Sequence, residues 1–102
     1  MLFRSIFDEI DRGVGGATAD AVGRRLARLA RAAQVLVVTH SPQVAARGAW
    51  HWRIEKMVER GAARTRVVAL DADARTEEIA RMLAGETVTP GARSAAAALL
   101  GG

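Results

Sequence analysis

The run "QVLVVTH", Gln34 to His40, constrains this chain more than any other stretch. It is continuous, rich in β-branched valine and bounded by polar residues, the pattern of a strand buried on both faces in a parallel sheet covered by helices. Such a strand needs a parallel neighbour. The sequence offers one upstream, Leu2 to Phe7, interrupted by Arg4 and Ser5. Between the two, from about Ala17 to Ala32, Val22, Leu26 and Leu29 fall at i, i+4 and i+7 on one helical face. Arg24, Arg25, Arg28 and Arg31 occupy the other faces, which makes the helix amphipathic with a basic exterior. Strand, helix and strand in this order predict a βαβ unit with parallel strands and a right-handed crossover.

The remainder reads as an edge hairpin and two helices. Trp50, Trp52, Ile54 and Val58 alternate along "WHWRIEKMV", and a turn around Gly61 leads into "TRVVAL", Thr65 to Leu70. A helix is predicted from about Ala74 to Ala84, with Asp71 or Asp73 near its start and Gly85 past its end. Thr89 and Pro90 open a last helix that runs to Leu100, and Ser41 and Pro42 open a short one after the valine-rich strand.

At 102 residues, residues 1–102 make one domain, and no linker divides them. The chain has no cysteine, which excludes a disulfide framework and a thiolate zinc site. No apolar run approaches the ~20 residues of a membrane span, so a cytoplasmic location is expected. The net charge is +4 and the pI about 11.2, which invites a nucleic-acid reading. Two tryptophans and two phenylalanines are too few for a base-stacking platform. Lys56 is the only lysine.

Chemistry concentrates at "FDEID" and the glycines that follow. Apolar residues running into Asp8 and Glu9 form the pattern of a Walker B strand. Asp8 would serve a phosphate-bound Mg²⁺, which prefers hard oxygen ligands, and Glu9 would polarise an attacking water as general base. Acids at strand ends are common, and a plain strand end is the competing reading. His40 shifts the balance. It follows Glu9 by 31 positions, the length of one βαβ crossover, and so belongs at the same carboxyl edge, where open α/β sheets bind ligands.

Taken together, "FDEID", "GVGG", "VTHSPQVAA", the Lys56 strand, "EEIARMLAG" and the closing helix after "TP" resemble, in order, the C-terminal part of the RecN family, bacterial DNA-repair ATPases of the SMC class. The resemblance covers nearly the whole chain. It implies an α/β fold, the C-terminal lobe of a P-loop NTPase head with a mostly parallel sheet, an edge hairpin and C-terminal helices. It implies that Asp8 is the Walker B magnesium residue, Glu9 the catalytic glutamate and His40 the switch histidine. Ile10 to Gly16, including Asp11, Gly13, Gly15 and Gly16, match the D-loop that meets a partner subunit. Arg12 stands where a small polar residue is expected. ATP and Mg²⁺ are the implied cofactors. The implied partners are the upstream N-terminal half of the head, a second head in an ATP-dependent dimer, and DNA, which would place the parent protein at the nucleoid.

Other parts of such a head have no counterpart in these residues. No G-x-x-x-x-G-K-[ST] phosphate loop occurs, and "GVGGAT" lacks both its lysine and the third glycine of G-x-G-x-x-G, where Thr18 stands. A signature segment and a coiled coil are also missing. The expectation is a single partial domain, inactive alone: either a fragment or a truncated reading frame with Met1 as an internal start. The alternative from another class is a non-catalytic module whose arginine helix meets DNA phosphates or a protein partner.

Overall fold

The computed structural model describes residues 4–9 and 12–102. Strand β1 (Arg4–Asp8) and strand β2 (Gln34–Val38) pair in parallel, from Arg4↔Gln34 to Asp8↔Val38, and helix α1 (Gly16–Leu29) makes the crossover. Arg4 and Ser5 do not break the strand. Leu2, its expected first residue, lies outside the described residues. The shared register puts Phe7, Val35 and Val37 on a partly buried face, where Phe7 shares a cleft with Leu26 and Leu29 of α1.

The opposite face differs from expectation. Ile6, Leu36 and Val38 are exposed there, Ile6 by 73%, so β2 is not buried on both sides. The physical reason is that no described element lies over this face. The valine-rich pattern records a covering layer that these residues do not supply.

Helix α2 (Pro42–Ala45) begins where the sequence places it, with Ser41 Oγ accepting from Val44 N at 3.4 Å and Pro42 at the first turn. Gly23 lets α1 and α2 approach closely, since a Cβ there would stand 3.2 Å from both Gln43 O and Val44 Cα. Across the same contact Arg47 Nη2 donates to Asp20 Oδ1 at 2.8 Å, and Arg24 Nε to Asp20 Oδ2 at 2.9 Å.

Strands β3 (Trp52–Glu59) and β4 (Ala62–Ala69) pair antiparallel around a two-residue loop. Arg60 and Gly61 both have positive φ, 51° and 76°, the geometry that matches hairpin twist. The hairpin is a second two-stranded sheet rather than an edge of the first. Between β2 and β3 the chain turns toward helix α3 (Ala72–Ala84), whose Arg75 donates to the carbonyls of Ala45, Ala46 and Gly48. The carbonyls of Ala45 and Ala46 lie at the end of α2 and that of Gly48 just beyond it, so Arg75 ties α3 to the turn that follows α2.

Asp71 Oδ1 accepts from Ala74 N at 2.8 Å, which starts α3 two residues before the expected Ala74, and Gly85 ends it at φ 83°. Thr89 caps helix α4 (Pro90–Gly101) by accepting from Ala92 N at 3.1 Å. Ile79 and Ala80 of α3, Ala96 of α4 and Ala46 form the buried core, flanked by Met82, Val88 and Leu99. Glu78 is buried beside it, held by the guanidinium of Arg81 and, at 3.8 Å, by Arg53 of β3.

Candidate active site

The candidate site forms at the carboxyl ends of β1 and β2. Glu9 N donates to Val38 O at 2.9 Å, which carries the ladder one residue past Asp8. Glu9 then turns at φ 51°, in the left-handed region that side chains rarely adopt, and its carbonyl accepts from Arg12 N at 3.2 Å. Such a conformation costs on the order of 1–3 kcal/mol and persists where the surroundings determine it. Here the ladder bond before it and the turn bond after it supply that constraint.

The turn aims the carboxylate at His40, whose Nε2 lies 3.1 Å from Glu9 Oε1. On its other side Glu9 Oε2 lies 3.7 Å from Arg12 Nη1. His40 leaves β2 over a loop fixed at Ser41, whose N donates to Thr39 Oγ1 at 2.9 Å and whose hydroxyl donates to Gln43 Oε1 at 3.0 Å. The imidazole is 90% exposed, held by its partner rather than by burial.

Glu9, Arg12, Gly13, His40 and Gln43 line a cleft of about 470 Å³. Gly13 has φ 78°, which a glycine adopts without strain. Gly15 is the N-cap of α1, and Gly16 its first residue, close to Gln43 Nε2. The glycines therefore form the bend from site to helix.

Asp8 is placed differently. It is exposed at the end of β1, opposite Val38, and does not line the cleft. Its carboxylate has no ion pair or hydrogen bond among the described residues. Asp11 lies outside the described residues. No group of three or more metal-ligating side chains occurs among the described residues. Asp8 alone suits an ion that takes one protein carboxylate and completes its shell with water and phosphate oxygens, as Mg²⁺ does. Arg12 and Gln43 were not predicted as site residues. The available signal for Arg12 was its position three residues after Glu9, within reach across one turn.

With this geometry in place the class is clear: the fold is that of part of an SMC ATPase head. The chain aligns with a solved structure from work on ATP-driven dimerization and DNA-stimulated activation of SMC ATPases, at TM-score 0.62 and 18% identity, covering 82% of this chain and 50% of that one. In sequence the chain matches the C-terminal part of the DNA repair protein RecN. It is 50% identical to RecN of Xylella fastidiosa (strain Temecula1) over 95 residues, 93% of this chain and 17% of the relative. RecN of Streptomyces coelicolor is 50% identical over the same share of each chain. RecN of Deinococcus radiodurans is 55% identical over 82 residues, 80% of this chain and 14% of the relative. The chain thus spans less than a fifth of the length of these relatives. No protein-family model matches it.

Proposed function

We propose that this chain is the catalytic C-terminal half of a RecN-like ATPase head, one partial domain over residues 1–102, acting in repair of DNA from the cytoplasm and nucleoid. The observation that carries the reading is the 3.1 Å contact between Glu9 and His40, two residues 31 positions apart in sequence that meet at the carboxyl edge of a parallel sheet. A strand end with a purely structural role has no need of that convergence.

In the complete head Asp8 would be the residue that holds Mg²⁺, and that ion would supply neutralisation of charge on the ATP phosphates. Glu9 accepts a proton from the attacking water. His40 Nε2, released from Glu9, donates a hydrogen bond toward the terminal phosphate. Gly13, Gly15, Gly16 and Asp11 form the D-loop facing a second head. The upstream N-terminal half supplies the phosphate loop. DNA is engaged through the assembled protein.

The test is Glu9→Gln in a head completed with the upstream half of a RecN relative. The amide keeps size and shape and removes the proton acceptor. ATP binding should persist while turnover falls by roughly 10²–10⁴, the contribution of a general base. Near-normal turnover would end the Walker B assignment.

A second reading keeps one structural observation of its own. Arg25, Arg28 and Arg31 have no ion-pair partner among the described residues, whereas Arg24 is held by Asp20. A module that binds DNA phosphates or an acidic protein through these arginines needs none of the acids.

A further inference from the structure

Gln43 lines the cleft beside Glu9 and His40 and has no part in the function proposed above. It follows Pro42 in the first turn of α2 and is partly buried. The loop that carries His40 orients its amide. Ser41 N donates to Thr39 Oγ1 at 2.9 Å, Ser41 Oγ accepts from Val44 N at 3.4 Å, and the Ser41 hydroxyl donates to Gln43 Oε1 at 3.0 Å. A hydroxyl has one hydrogen to give, so this bond engages the acceptor end of the amide. Nε2 keeps two N–H groups and has no hydrogen-bond partner among the described residues. It lies against Gly16, where an added Cβ would stand 3.4 Å from it.

The other polar groups of the cleft narrow what those donors can serve. Glu9 is the only acid among the described residues that line it, and His40 and Arg12 flank its two oxygens at 3.1 and 3.7 Å. The remaining long polar side chains, Arg12, His40 and Gln43, all present N–H groups. Such a wall suits an oxyanion, and donors already held in place need no reorganisation when the anion arrives.

We propose that Gln43 Nε2 is a second hydrogen-bond donor, beside His40, to the terminal phosphate of ATP. This rests on the head reading above. An amide with its oxygen free would instead hold the attacking water by accepting one of its hydrogens. The Ser41 bond leaves Gln43 the donor end, so its partner is an anionic oxygen. Helix packing does not account for the side chain, because the atoms nearest a Cβ at Gly23 are Arg47 Cγ, Gln43 O and Val44 Cα. The backbone of Gln43 makes that contact, and the amide is left for the cleft.

The experiment places Gln43→Ala and Gln43→Glu in a head completed with the upstream half of a RecN relative. Calorimetry measures the affinity for Mg-ADP with and without beryllium fluoride, which occupies the place of the terminal phosphate. Gln43→Ala should leave the affinity for ADP alone unchanged. It should weaken binding of ADP with beryllium fluoride roughly 10- to 100-fold, the worth of one hydrogen bond to a charged acceptor. Gln43→Glu turns a carboxylate toward the same anion and should weaken it further. Thermal unfolding of the 102-residue chain checks that each variant folds. An unfolded Gln43→Ala is replaced by Gln43→Met, which keeps the length of the side chain and removes both N–H groups.

Three results would overturn the proposal: Gln43→Ala without loss, an equal loss with and without beryllium fluoride, or Gln43→Glu binding as well as the natural chain. The second of these would make Gln43 a packing residue. The head reading is judged separately. A head that hydrolyses ATP in a Glu9-dependent manner yet ignores Gln43 retires this donor alone. A head that loses beryllium fluoride selectivity with Gln43 but is indifferent to Glu9→Gln keeps the donor and retires the general base. A head that binds neither nucleotide retires both.

Discussion

His40 Nε2 and Glu9 Oε1 stand 3.1 Å apart, so the two residues that would share the water and the terminal phosphate are occupied with each other. On the proposed reading, the contact opens when His40 Nε2 turns from Glu9 to the terminal phosphate. His40→Ala would remove the proposed phosphate donor and also free Glu9. Turnover should fall by roughly 10²–10³ if the donor dominates, the size of losing one oriented hydrogen bond at developing charge. ATP affinity should change little. Asp8→Asn should behave differently and raise the Mg²⁺ concentration needed for half-maximal rate. Steady-state rates across a Mg²⁺ titration distinguish the two. Equal metal dependence in both variants would remove Asp8 from the metal site.

How much of this was legible in the sequence follows from which interactions are local. The βαβ unit, the Ser41, Asp71 and Thr89 caps, and the meeting of Glu9 with His40 follow from periodicity, cap chemistry and the length of one crossover. The cover of β2 was misjudged because an apolar run records that both faces are meant to be buried and says nothing about which chain buries them. The hairpin was expected at the edge of the first sheet. Alternation identifies a strand and its faces, but not the sheet it joins. The Arg12 contact with Glu9 depends on the left-handed turn at Glu9, which no residue type announces.

The α1–α2 contact turns on Gly23. Alanine in its place gains up to about 1 kcal/mol of helix propensity. Its Cβ, however, would stand 2.9 Å from Arg47 Cγ and 3.2 Å from two backbone atoms of α2. Arg47 can yield; the backbone cannot yield without moving α2. Gly23→Ala should therefore destabilise by about 1 kcal/mol net, since overpacking typically costs 1–3 kcal/mol. Urea denaturation of the isolated chain reads this directly. A gain in midpoint would mean that the two helices are free to separate.

In the core, Ile79 is fully buried between α3 and α4. Ile79→Ala should cost about 2–5 kcal/mol, the range for deleting a buried aliphatic side chain. That is a large share of the stability of a chain this small. Glu78→Ala beside it should cost less, about 1–3 kcal/mol, because Arg81 is half exposed and recovers water when its partner goes. Reversal of that order would show that the ion pair, not the apolar cluster, holds α3 in place.

His51 gives the fold a pH dependence. Burial, reinforced by the nearby Arg75 guanidinium, holds its pKa below the ordinary 6.5, while Glu78 acts weakly in the other direction. Its Nδ1 is buried and has no hydrogen-bond partner among the described residues. As pH falls, the unfolded chain takes up the proton first, so stability falls with it. The contribution is fully present above the unfolded value near 6.5 and is lost as pH drops toward the lower folded-state value. Denaturation midpoints at pH 7.5 and 5.5 should differ more for the natural chain than for His51→Gln. Equal differences in the two proteins would show that His51 titrates as if in water.

The last prediction concerns the arginines of α1 and the turn after it. Arg24 is committed to Asp20, and Arg24 and Arg47 together hold that carboxylate below its ordinary range. Of the four arginines expected to meet phosphates, Arg25, Arg28 and Arg31 are therefore the ones available. Three phosphate contacts on duplex DNA give a slope of about −2.7 in log affinity against log salt. Raising salt from 50 to 200 mM should then weaken binding roughly 40-fold. Binding should be indifferent to base sequence, because phosphate contacts carry no sequence information. Fluorescence anisotropy with two unrelated duplexes across a salt series measures both properties. Replacing Arg25, Arg28 and Arg31 together with Gln should flatten the slope, and Arg24→Gln alone should not, since its guanidinium already serves Asp20. If Arg24→Gln has the larger effect, the Asp20 pair is not holding in solution. Sequence-specific binding that survives high salt would move the chain to the class of dedicated DNA-binding modules, with Asp8 and Glu9 reduced to the polar end of a strand.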